Sequence, residues 1–236
     1  MKNLIKACLI ILIIGTYSCA KDGEMGPAGA DGAQGISGVN GTNGTNGVDG
    51  EDATINVTMS TADVYSPMTS EVSGSSTLYR TEDTITATLE STGLIAGHAY
   101  TLWVLVFNQP ENCGGSPCAL SDLKNVPAKA EMLGGSGLVA DVNGKGIFSC
   151  NIRENDGTTS INDRLGMPID VGGIWDAQTV EVHLIVRSHG PAIMGHVIDQ
   201  ITSYGGGCTT FLKPPFSAVP MLDGECVEVL ASIHKI

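Results

Sequence analysis

Basic residues are scarce in this chain of 236 residues, which carries 12 Lys and Arg against 25 Asp and Glu for a formal net charge of −13. Binding to nucleic acid needs a Lys/Arg footprint on the phosphates, so no nucleic-acid partner is expected. A basic patch for a membrane surface is excluded on the same ground. The sequence also lacks a GxSxG nucleophile elbow, and Ser188 beside His189 falls on the opposite face of an extended strand. Gly134-Gly135-Ser136-Gly137 and Gly205-Gly206-Gly207 are not followed by the Lys-Ser/Thr of a phosphate loop and read as turns. With no nucleophile or paired-carboxylate signature, a non-enzymatic role leads. Helical periodicity is sparse too: Leu120 to Leu133, broken by Pro127, and Ile193 to Ser203 are the two segments that fit short helices.

Long apolar runs are likewise missing, apart from Ala7 to Ile14 behind Lys2 and Lys6. That run is too short to span roughly 30 Å of hydrocarbon and has the layout of an export signal rather than an anchor. Small residues follow in Gly15-Thr16-Tyr17-Ser18-Cys19. This segment resembles the bacterial lipobox, which implies cleavage after residue 18, acylation of Cys19 and membrane attachment through the N-terminal lipid. Lys21-Asp22-Gly23-Glu24 is similar to the surface-export signals of Bacteroidetes-type lipoproteins, implying an outer-membrane protein facing outward.

Glycine falls at every third position from Gly23 to Gly50, so residues 23–52 are ten uninterrupted Gly-X-Y triplets. The strict period reflects the crowded axis of a collagen triple helix, where only glycine fits. The segment resembles bacterial collagen-like proteins and would make a rod of roughly 90 Å at ~3.1 Å per residue. Pro27 is its one proline, and Asp22, Glu24, Asp31, Asp49, Glu51 and Asp52 face Lys21 alone. A homotrimeric stalk and an extended single-chain tether are both compatible with this composition. The expected organisation is thus a signal peptide (1–18), a lipidated Cys19 with its stalk (19–52) and a head (53–236).

The head keeps 19 acids and 9 bases and is long enough for one sizeable core. An exported protein can form disulfides. Cys113 and Cys118 flank Gly114-Gly115-Ser116-Pro117 and are expected to pair, as are Cys208 and Cys226 beside Gly-containing loops. Cys150, inside the apolar pattern Ile147 to Ile152, reads as a buried thiol.

Strands are expected at Thr84 to Leu89, Tyr100 to Phe107, Gly137 to Val142, Lys145 to Ile152, Val180 to Ser188 and Val227 to Ile233, with Asn143-Gly144 as a hairpin signal. Many strands punctuated by Gly and Pro point to an all-β head, specifically a β-sandwich. On the strand from Val180, the residues Val180, Val182, Leu184 and Val186 share one face, placing Glu181, His183, Ile185, Arg187 and His189 on the other. His183 and His189 lie roughly 20 Å apart along an extended strand, too far for one ion, but His98 or His234 on neighbouring strands could complete a Zn or Cu site with either. A satisfied structural histidine is the competing account of each, with no cofactor bound.

The segments Gly97 to Trp103, Phe107 to Pro110, His183 to Ala192 and Gly205 to Cys208 resemble a family of exported bacterial β-sandwich proteins without assigned function, and more distantly CHRD-type extracellular domains, whose strands also end in His-Gly-Pro. The resemblance implies an extracellular module and carries over no catalytic residue. Two readings result: a lipid-anchored surface protein whose head binds an extracellular ligand or builds the envelope, or an exported metal-binding protein or metalloenzyme.

Overall fold

The computed structural model describes residues 56–167, 171–206 and 226–236. The expected signal peptide, Cys19, the Gly-X-Y stalk and Cys208 lie outside the described residues. The head is all-β. Its strands are β1 (Thr58–Tyr65), β2 (Val72–Arg80), β3 (Thr84–Ser91), β4 (His98–Phe107), β5 (Ala130–Val139), β6 (Gly146–Arg153), β7 (Glu181–Pro191) and β8 (Glu228–His234). Every ladder is antiparallel, and the strands form one sheet in the order β5-β4-β7-β8-β1-β2-β3-β6.

That sheet curls until its edge strands β5 and β6 face each other, where the Ser149 amide donates to Ser136 Oγ at 2.8 Å. The strands therefore make a single, nearly closed barrel instead of two stacked sheets. Eight strands enclose a space that side chains can fill, and the period-2 alternation supplies them. Leu102, Val104 and Val106 of β4, Val182, Leu184 and Val186 of β7, Ile85, Ala87 and Leu89 of β3, and Phe148, Cys150 and Ile152 of β6 all point inward. One end is plugged by Ile174, Ala177 and Val180, which join this core. The plug is held by the Arg80 guanidinium donating to the Ala177 carbonyl at 2.8 Å and by the Ala177 amide donating to Glu154 Oε1 at 2.7 Å.

A second layer packs on the outside of β4, β5 and β7. It consists of short 3-10 turns at Pro110–Asn112, Leu120–Lys124 and Val126–Ala128, with helices α1 (Asn162–Leu165) and α2 (Val197–Thr202). Its core joins Trp103, Leu105, Phe107, Met132 and Ile185 from the sheet to Cys118, Ile161 and Tyr204. Cys113 and Cys118 form the expected disulfide, tying down this layer, while Cys150 is a free buried thiol. Cys226 is also disulfide-bonded.

Three local expectations differ from the structure. The helix expected over Leu120 to Leu133 dissolves into two 3-10 turns and the first residues of β5. Pro127 forbids a continuous helical ladder, and Ala130 to Leu133 gain more as the partner of Val104 to Phe107. Gly134-Gly135-Ser136-Gly137 is part of β5 and not a turn. A Cβ on Gly137 would lie 1.9 Å from the Ile201 carbonyl oxygen, so glycine here lets α2 press against the strand. Lastly, Asn143-Gly144 does join β5 to β6, yet these two share no ladder. Asp141 Oδ1 accepts the amides of both Asn143 and Lys145 at 2.8 Å, widening the connection beyond the two-residue turn of a paired hairpin.

Candidate functional site

The alternation of β7 places its side chains as the sequence dictates. Val182, Leu184 and Val186 enter the barrel, and Glu181, His183, Ile185, Arg187 and His189 point outward. The second layer covers that outer face, however, so all five are buried.

His183 Nε2 donates to Glu181 Oε1 at 2.6 Å, and the same oxygen accepts the Cys118 amide at 2.7 Å. Burial holds the His183 imidazole below its ordinary pKa despite the carboxylate. His189 sits in an ordered relay. Its Nδ1 lies 2.8 Å from the Gly206 carbonyl, which can only accept, so Nδ1 carries the proton and Nε2 accepts from the Thr101 hydroxyl at 2.8 Å. Thr101 Oγ1 in turn accepts Trp103 Nε1–H at 2.7 Å. Burial, with help from Arg187, pushes His189 down to about 4. Thr101 is the residue the sequence reading missed; its one signal was being the lone polar side chain in the Tyr100 to Phe107 run.

His234 belongs to a different compartment. It pairs with Val182 across the β7–β8 ladder and points into the barrel, the opposite face from His183. There Ser60 Oγ lies 2.8 Å from Nδ1 and Ser76 Oγ lies 2.8 Å from Nε2, with Ser76 also bonded to Ser232. Burial first, then Arg80 and His183, push His234 down to about 4.

His98 opens β4 at a register shift between His98 and Tyr100 in the β4–β7 ladder, and its ring stacks on Tyr100 with centroids 6.5 Å apart. The four histidines flagged in the sequence thus occupy four separate places. Among the described residues, no group of three His, Cys, Asp or Glu side chains is close enough to hold a metal ion.

His98 differs from the other three by standing on a cavity. At the barrel end opposite the plug, the described residues enclose a cavity of about 520 Å³. Leu94, Tyr100, Val229 and Leu230 form its floor, and Glu71 and His98 are among the polar side chains around it. Such volumes suit small-molecule ligands, and barrel mouths are a common place for them. Sequence reasoning could not assemble this site, because its lining comes from the β1–β2 and β3–β4 connections and the start of β8.

Searches against protein-family models, curated proteins and solved structures find no match for this chain.

Proposed function

We propose that the protein is a lipid-anchored surface module of the cell envelope, in which Cys19 fixes the chain to the outer membrane and the Gly-X-Y segment carries a ligand-binding all-β head. The observation that carries this reading is the linear order of the parts. A leader too short to span, a cysteine at its end, ten unbroken triplets and a head of 184 residues make sense as anchor, spacer and payload. More than one acyl chain on Cys19 would make retention stable, at ~0.8 kcal/mol per buried CH₂. The strict triplet period supports a collagen-like rod, as a trimer or as an extended tether. The head contributes a ligand-sized cavity at one barrel end. Its all-β build agrees in fold class with the extracellular modules that the sequence resembles.

Protease treatment of intact cells tests the placement. Exposure on the surface predicts that the head is cut from whole cells while a periplasmic marker survives. A head protected until the outer membrane is breached contradicts outward display.

A further inference from the structure

We propose that the barrel-mouth cavity binds a small apolar molecule ending in an ammonium group, with Glu71 as its counter-charge and His98 as a hydrogen-bond acceptor. This deepens the binding half of the reading above and rests on it, but not on the anchor.

The size and floor of the cavity set the apolar part. About 520 Å³ falls within the range of small-molecule pockets. Leu94, Tyr100 and Leu230 at its base are all at least nine-tenths buried. At the rim stand Met68, Ile95 and Val227, which are 83%, 62% and 45% exposed. An apolar floor whose apolar wall stands open to water gains from a hydrophobic guest, and methionine adapts its shape to one.

The polar lining sets the head group. Among the described residues that line the cavity, Glu71 is the one Asp, Glu, Lys or Arg, and its carboxylate has no ion pair with another described residue. Its backbone is tied into the β1–β2 connection, with the Ser66 amide donating to the Glu71 carbonyl at 2.9 Å, so the carboxylate is presented from a fixed turn. His98 is the flagged histidine whose ring nitrogens bond to no other side chain among the described residues. His183, His189 and His234 each have such a bond. A neutral imidazole accepts one N–H of an ammonium while the carboxylate neutralises it. An anionic guest would meet Glu71 and a chain of net charge −13.

The backbone around this end is adapted as well. Three ladders shift register beside the mouth, at Val64/Tyr65, at His98/Tyr100 and at Val186/Arg187. Bulges at barrel rims re-aim side chains and recur next to binding sites. Here His98 both adjoins a register shift and lines the cavity.

The test is titration of the full-length chain with hexylamine, followed by calorimetry and by NMR at the His98 ring protons. Hexanoate serves as the anionic probe of equal length. The expected result is hexylamine binding with Kd below about 1 mM, a shift of the His98 resonances, and binding weakened about tenfold both for hexanoate and in Glu71→Gln. Glu90→Gln, which removes an exposed carboxylate that does not line the cavity, should leave hexylamine binding unchanged. Three results would overturn the proposal: no movement of His98 with hexylamine, hexanoate binding as tightly as hexylamine, or Glu90→Gln weakening binding as much as Glu71→Gln. None of these outcomes depends on acylation, so failure here and failure of the surface reading remain distinguishable.

Discussion

Thr101→Val removes the central hydroxyl of the Trp103–Thr101–His189 relay while keeping the side-chain volume. It leaves a buried indole N–H and a buried imidazole nitrogen without their partner. Each such loss costs about 1–3 kcal/mol, so denaturant unfolding should show a loss of roughly 2–6 kcal/mol with an unchanged m-value. A loss under about 0.5 kcal/mol would mean that the relay does not stabilise the fold. The histidines set a pH window of their own. His189 and His234 titrate near 4 in the folded head against an ordinary value of 6.5. The unfolded chain therefore binds more protons between these limits, and stability must fall as pH drops from about 6.5 towards 4. The slope is up to about 1.4 kcal/mol per pH unit for each of the two. Asp122 and Asp141, held below their ordinary 3.8 by backbone amides, add their losses only at lower pH. Chemical denaturation at pH 7.5 and 5.0 checks the sign. At the same scale, burial pushes the Cys150 thiol up to about 11, so iodoacetamide should leave it unmodified until the head unfolds.

Among the elements, β7 was the most legible, because strict alternation over Val180 to His189 fixes both faces whatever the neighbours are. What the alternation could not show is that the outward face is covered. The covering turns and α2 are short segments of weak periodicity, and their packing is tertiary. Strands β1 and β2 escaped sequence reading for the converse reason: Ser60, Ala62, Gly74 and Ser76 occupy inward positions where apolar residues would have given a signal. The polar interior there is explained by His234, which needs Ser60 and Ser76 as partners. The same reasoning makes the inner face of β7 the sensitive one. Leu184→Ala should cost about 2–5 kcal/mol through lost burial and the cavity left in the barrel. The Cys113–Cys118 loop is short, so its chain-entropy contribution is about 2 kcal/mol. Cys113→Ser in the oxidised protein should lower the unfolding free energy by about that amount.

At the scale of the whole molecule, the proposed function rests on two features of the sequence, Cys19 and the Gly-X-Y segment that follows it. The proposed spacer carries six acids and one base in residues 20–52. Association of three such chains brings like charges together, so any threefold mass in sedimentation should rise with salt. A monomer at every salt concentration identifies the stalk as a single-chain tether. Cys19 is decisive for the proposed function, because a spacer holds a head away from something only if its start is fixed. Mass spectrometry of the protein purified from its membrane reads this directly. The expected result is an N-terminal fragment beginning at Cys19 and carrying the mass of a diacylglyceryl group, lost in Cys19→Ser. An unmodified Cys19, or a mature chain beginning elsewhere, would contradict it.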